Sequence, residues 1–314
     1  MKLSIDKNSV YSKLLFFLAV FFCLSPLASP PIALLLGIAI AWLIGHPFQK
    51  YNGKVTQFLL KASVVGLGFG MNAQSALKAG SEGLLFTIIS IVATLIIGFL
   101  AGKFLKIDRI TSYLISCGTA ICGGSAIAAV SPVIKAKEEQ ISVALGVVFI
   151  LNSAALFLFP AIGHWLDMSQ QQFGLWSAIA IHDTSSVVGA AGSYGMQALE
   201  IATTVKLARA LWIIPVAFLS AFLFKNKETK IKIPYFIGLF VLAMLANSYL
   251  PFVSQVGSYI VTAAKAGLTL TLFLIGCGLS KKVLKSVGIK PFIQGVVLWV
   301  LISVTALWAV LFFV

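Results

Sequence analysis

Charge is the scarcest property of this chain. Nine acidic residues occur in 314 positions, and charged residues of both signs make up 10% of the total against 60% hydrophobic. With a mean hydropathy of +1.03, this excludes a water-soluble globular domain, in which about a quarter of the residues are charged, and puts the chain among multi-span membrane proteins. Cysteine is sparse as well. Cys23, Cys117, Cys122 and Cys277 lie in apolar surroundings with no two-residue pairing and no histidine at ligand distance, so they read as buried thiols, and neither a metal nor another cofactor is expected. The 23 Lys and Arg give a net charge of +14, but they are scattered between apolar stretches. They therefore record membrane orientation, and nucleic acid is not an expected partner.

What is present is a succession of apolar windows. Eleven are long enough for a bilayer core of about 30 Å, near 14–28, 31–48, 60–77, 83–102, 110–134, 140–163, 174–196, 203–224, 233–250, 257–279 and 291–313. The expected fold is all-α: one integral membrane domain over 1–314 with discontinuous helices. Residues 1–30 are expected to form an extra N-terminal span rather than a cleaved leader, and 31–224 and 225–314 to be sub-parts divided near the polar linker "KNKETKIK" at 225–232. Placing the amino end in the cytoplasm puts on the inside Lys2, Lys7, Lys13, Lys50, Lys54, Lys61, Lys103, Lys106, Arg109, the four linker lysines, Lys281, Lys282, Lys285 and Lys290. Lys78, Lys135 and Lys137 then fall outside, and the loop with Lys135 and Lys137 is the discordant one.

Two echoes suggest inverted duplication. "LLKASVVGLGFG" from Leu59 and "AAKAGLTLTLFLIGCG" from Ala263 share a Lys-Ala start and a small-residue helix, seven windows apart and hence opposite in direction. "ICGGSAIAAVS" from Ile121 and "IHDTSSVVGAA" from Ile181 share an Ile, four polar or tiny residues and an apolar run, but they are two windows apart, an even offset.

These last segments carry the chemistry. Gly118, Gly123, Gly124 and Pro132 make "CGTAICGGSAIAAVSP" read as two half-helices meeting near Cys122 to Ser125, although small residues also serve close helix packing. A break in hydrocarbon is tolerated only when surrounded by protein or a water-filled cavity. "WSAIAIHDTSSVVGAAGSYG" puts His182, Asp183, Thr184, Ser185 and Ser186 in mid-window, where an acid is by default functional, the alternative being a hydrogen-bond network between helices. Asp183 can take a proton or a coupling cation, His182 can change charge near neutral pH, and the hydroxyls can donate to oxyanions. Lys206 and Arg209 in "ATTVKLARALWIIP" share one helix face and either snorkel to an interface or bind an anion. Asn152 in "FILNSAALFLFP" reads as a packing hydrogen bond.

"CGTAICGGSAIAAVSPVIKAKEEQISVALGVVFILNSAALFLFP", "IAIHDTSSVVGAAGSYG" and "ATTVKLARALWIIP" together resemble the YeiH-type family of bacterial inner-membrane proteins designated sulfate exporters, over nearly the whole chain. The first broken segment is more distantly similar to the crossing helix of bile-acid-sodium symporter-like proteins, which implies five-plus-five inverted repeats with crossed discontinuous helices. The expectation is a secondary transporter, not an enzyme, in the bacterial plasma membrane, exporting a small sulfate-like or sulfite-like anion coupled to a proton or sodium gradient. The substrate site would comprise Thr119, Cys122, Gly123, Gly124, Ser125, His182 to Ser186, Lys206 and Arg209. The expected partners are the anion, the coupling ion and the lipid bilayer, and a homo-oligomer is compatible with the chain. A channel lined by the same breaks, or an intramembrane enzyme using His182 and Asp183 with a serine, are the alternatives, the latter without a partnered nucleophile motif.

Overall fold

The structure, a computed structural model, describes residues 10–25, 27–224, 235–279 and 287–314. Among the described residues the chain forms fourteen helices and no strand. Five of them are long and apolar enough to cross a membrane, within Phe86–Phe104, Glu139–Trp165, Met196–Leu223, Gln255–Gly278 and Ile289–Phe313. Large apolar side chains such as Phe99, Phe222, Phe252 and Trp308 are exposed, whereas Ser177, His182, Lys206 and Arg209 are wholly buried. That distribution inverts the one of a water-soluble protein and suits a surface facing acyl chains. Lys2, Lys7, the 225–232 linker, Lys281, Lys282 and Lys285 lie outside the described residues, as does the side chain of Lys78.

The helices gather into two compact units, one from Met1–Ser75 with Tyr235–Lys281, the other from Ala76–Pro234 with Lys282–Val314. The first holds α1 (Val10–Leu24), α2 (Pro30–Leu43), α3 (Gln49–Gly68), α12 (Tyr235–Tyr249) and α13 (Pro251–Gly278). α13 lies against α2 through Gly37 and Gly276: a Cβ on Gly37 would strike the Phe273 carbonyl, and one on Gly276 the Leu34 carbonyl. Backbones this close are how small residues join helices where no hydrophobic effect drives association. α3 and α13 run antiparallel, since Asn52 Nδ2 donates to Leu274 O at 3.0 Å while a Cβ on Gly66 would lie 2.8 Å from Ala264 Cβ. The two Lys-Ala segments therefore do point in opposite directions, side by side. Cys23 and Cys277 are part of this unit's apolar core.

The second unit contains α4 (Ala73–Phe104) beyond its first turn, α5 (Arg109–Ala120), α6 (Gly124–Val130), α7 (Glu138–Trp165), α8 (Gln170–Ala180), α9 (Thr184–Tyr194), α10 (Met196–Ala210), α11 (Ile213–Leu223) and α14 (Ile289–Phe313). Here the expected single spans at 110–134 and 174–196 are corrected. Each is a hairpin that enters the unit and turns back. For α5 and α6, a Cβ on Gly118 would touch both Ile127 and Val148, and Gln140 Nε2 donates to Asp108 Oδ2 at 2.7 Å. The start of α7 thus lies at the same end as the start of α5. For α8 and α9, Phe173 stacks on Tyr194 with ring centroids 3.8 Å apart, the Tyr194 hydroxyl donates to Met168 O at 2.6 Å, and Gln197 N donates to Gln170 Oε1 at 3.0 Å. The end of α9 has come back to the start of α8.

α7 carries the chain from the first end of the unit to the second, and α10 with α11 carries it back. The hairpins consequently enter from opposite ends, each followed by a traversing helix. This resolves the even offset between the polar echoes: a returning hairpin does not count as a crossing. Lys135 and Lys137, discordant in the window count, now share an end with Lys103, Lys106 and Arg109, and no Lys or Arg occurs between Lys137 and Lys206. The crossed discontinuous helices implied by the bile-acid-symporter resemblance are likewise replaced by paired hairpins. α14 braces the unit, with Gln294 Nε2 donating to Gly98 O of α4 at 2.9 Å and to Ser112 Oγ of α5 at 2.8 Å, and with Trp176 Nε1 of α8 donating to Ser303 O at 2.9 Å.

Asp108 caps the first hairpin. Partial burial raises its carboxyl, but hydrogen bonds from Thr111 N, Thr111 Oγ1 and Gln140 outweigh that and hold it below the usual carboxylate value. A lowered value in the folded state means that this contribution is present at neutral pH and is lost as pH falls through that value. Asp108→Ala is expected to cost about 1 kcal/mol at pH 7 and to remove that part of the acid sensitivity, as read by detergent-phase melting against pH. Single cysteines at Lys103 and Lys137 are expected to react with a membrane-impermeant maleimide from one side and a cysteine at Asp167 from the other. Labelling of 103 and 137 from opposite sides would contradict the hairpin.

Candidate functional site

The first hairpin turns over Ile121 to Gly123. Ile121 N closes α5 on Cys117 O at 3.1 Å, and Gly123 N reaches back to Gly118 O at 2.8 Å. Gly123, the N-cap of α6, has φ +63°, a conformation that glycine adopts without penalty. A Cβ there would also sit 3.3 Å from Asp183 Cα and from Val148 Cγ1. The tip of one hairpin therefore rests on the tip of the other.

The second hairpin turns over Ile181 to Asp183, with Ile181 and Asp183 in extended conformation. Asp183 is the N-cap of α9. Its Oδ2 accepts from Ser185 N at 3.1 Å and from the Ser185 hydroxyl, so the carboxylate meets the positive end of a helix. The amides of His182 and Asp183, which the turn leaves without helical partners, both donate to Asn152 Oδ1 of α7, at 3.1 and 3.3 Å.

Carbonyls at the ends of the inward arms need partners too, and α10 supplies them. Lys206 Nζ donates to Ile181 O at 2.7 Å and Arg209 Nε to Ala120 O at 2.8 Å. Two cations on one helix face thus each cap the negative end of a different hairpin arm. Both are wholly buried, so snorkelling is excluded for this pair. Cys122 lies within electrostatic reach of Lys206, Asp183 and Arg209, and His182 within reach of both cations.

Several polar atoms here are buried without a protein partner: Arg209 Nη1 and Nη2, Asn152 Nδ2, both His182 ring nitrogens and Thr119 Oγ1. Native interiors leave few such atoms, so a concentration of them calls for an explanation. The structure brings Thr119, Cys122, Gly123, His182, Asp183, Lys206 and Arg209 to the meeting tips. Thr184, Ser185 and Ser186 are buried on the first turn of α9, with Ser185 committed to Asp183. Gly124 is half-buried against Leu145 and Phe149, and Ser125 is exposed, so the structure does not bring the Ser125 side chain to this buried centre. The sequence reading of Asn152 as a packing hydrogen bond is met by its two contacts to the second tip. Its signal was a lone amide in mid-span, and its partners are backbone groups that no side-chain pattern announces. Among the described residues no cluster of His, Cys, Asp or Glu has the makings of a metal site.

The comparisons with known proteins fit this class. A family model described as conserved hypothetical protein 698 matches residues 10–295. Among relatives called UPF0324 membrane proteins, one from Bacteroides thetaiotaomicron is 60% identical over 91% of this chain and 87% of its own length. One from Porphyromonas gingivalis is 53% identical over 89% and 86%, and one from Vibrio parahaemolyticus 54% over 94% and 97%. No solved structure matches.

Because Asn caps a helix about as well as Asp, the two roles of Asp183 separate by substitution. Asp183→Ala is expected to lower stability by about 1 to 2 kcal/mol and Asp183→Asn by well under 1 kcal/mol, measured by melting in mild detergent. Equal losses would show that the carboxylate's charge, rather than its cap, holds the tip.

Proposed function

Since the chain belongs to the family described as conserved hypothetical protein 698, whose relatives are UPF0324 membrane proteins, we propose that it is a secondary transporter for a small anion of the sulfate or sulfite kind, bound where the two hairpin tips meet. The observation that carries this reading is the Arg209 guanidinium: fully buried, anchored by Nε to Ala120 O, and with Nη1 and Nη2 left without partners. A guanidinium so placed is a planar fork awaiting oxygen acceptors. Lys206 beside it brings the local balance to two cations against Asp183, so an anion is the ligand that this centre favours.

Each residue has a role in this reading. Arg209 and Lys206 attract the anion, Thr119, Thr184 and Ser186 offer hydroxyls, and the backbone at Cys122, Gly123 and Gly124 lets the ligand approach closely. Ser125 lies on the route outward along α6. His182, and Asp183 with Ser185, form the coupling group for a proton or sodium ion. The membrane is the bacterial plasma membrane. The end bearing Lys103, Lys106, Arg109, Lys135, Lys137 and Lys290 faces the cytoplasm by the excess of cations there, with the amino terminus also inside and transport directed outward. Opposed hairpins suit alternating access, because opening one tip at a time exposes the same centre to opposite sides.

Purified protein in vesicles, given labelled sulfate, sulfite and small carboxylates with pH and sodium varied separately, is expected to show saturable flux that follows one ion gradient. Arg209→Gln should reduce that flux at least about tenfold, the cost of losing a charged hydrogen bond, and Asp183→Asn should uncouple it from the ion. Unitary current steps without saturation would point to a channel and overturn the reading.

A further inference from the structure

Asn152 is fixed in one orientation by what it accepts. Both contacts to its Oδ1 come from backbone N–H groups, His182 N at 3.1 Å and Asp183 N at 3.3 Å. Only the carbonyl oxygen of an amide side chain can accept them, so the NH2 group is the other atom. That group is buried and has no partner, in a residue only 2% exposed. A side chain needed solely to pin the turn would need only the acceptor oxygen. Here a donor with two hydrogens is buried midway along α7, beside the tip whose neighbours include the free Arg209 fork.

We propose that Asn152 is a substrate-binding residue: its Nδ2 donates to one oxygen of the anion while Arg209 Nη1 and Nη2 hold others. This rests on the anion-transporter reading and deepens it. The donors lie on two different helices, α7 and α10: an oxyanion, carboxylates included, can give each its own oxygen, whereas a spherical halide must draw all of them onto one atom. The site accordingly selects oxyanions over chloride by geometry, on top of the charge selection that Arg209 and Lys206 provide. Asn152 also ties ligand occupancy to the second hairpin, because the same amide that touches the anion holds the His182 and Asp183 amides through its oxygen.

Asn152→Asp removes the donor and adds a negative charge that opposes nitrate and chloride alike. It keeps an oxygen for the two backbone amides and replaces the free NH2 with a second acceptor. The experiment measures melting shifts of purified protein and vesicle uptake with sulfate, nitrate and chloride. Nitrate and chloride carry the same charge, and their difference in hydration is common to every variant, so the change in their affinity ratio on substitution reads geometry rather than electrostatics. The wild type is expected to prefer nitrate over chloride at least about tenfold, the equivalent of one hydrogen bond of about 1.4 kcal/mol. Asn152→Asp should retain the anion-free melting temperature within a few degrees and bring that ratio near one. Asn152→Leu, which loses the brace as well, should melt lower. An unchanged ratio in a well-folded Asn152→Asp protein would overturn the Asn152 assignment while leaving the transporter reading in place. Failure of all three anions to shift or cross with the wild type would overturn the transporter reading itself, and this inference with it.

Discussion

Backbone groups that leave a helix inside hydrocarbon must find partners, and every distinctive feature of the second unit follows from meeting that demand at one place. Two hairpins end in mid-unit, which frees carbonyls at Ala120 and Ile181 and amides at His182 and Asp183. Arg209, Lys206 and Asn152 take them up, with Asp183 capping the helix that follows. Burying an isolated cation costs several kcal/mol, so the two cations persist there because helix-end carbonyls stabilise them. The tips and α10 are thus mutually dependent: neither the hairpins without the cations nor the cations without the hairpins would be stable in that position.

The same arrangement has capacity left over. A guanidinium that spends one N–H on Ala120 O keeps its outer fork, and an amide that spends its oxygen on the turn keeps its NH2. Structural necessity therefore puts donors and positive charge at the meeting point of two elements entering from opposite ends. In the proposed transporter a ligand would complete the hydrogen bonding, and its occupancy would bear on the tips directly, because the groups facing it would be the ones holding the turns. α14, through Gln294 and the Trp176 contact, ties α4, α5 and α8 together.

The helical membrane class, both interruptions and most of the polar centre are legible in the sequence, because Gly123-Gly124 and His182-Asp183 are improbable inside a plain span. The direction of the chain after each interruption is not. A hydropathy window carries no sign of return, and 110–134 or 174–196 is as long as a crossing helix. The discordant Lys135 and Lys137 were the clue, since a hairpin moves them to the end where the other cations are. Lys206 and Arg209 are recognisable as a same-face pair, but their anchors are the Ile181 and Ala120 carbonyls, and main-chain acceptors leave no trace in residue identity. Asn152 is recognisable as a packing amide, but its backbone partners are hidden for the same reason. Ser125 shows the opposite failure: its neighbours in sequence line the tip, while one turn of α6 carries its own side chain to the surface.

The most direct measurement is an experimental density map of the protein with selenate, whose selenium can be located by anomalous scattering. A peak within hydrogen-bonding reach of Arg209 Nη1 and Nη2, between the tips at Gly123 and Asp183, is the result expected. Selenium located elsewhere, with the Arg209 fork occupied by protein acceptors, would contradict the claim that these paired hairpins build an anion site.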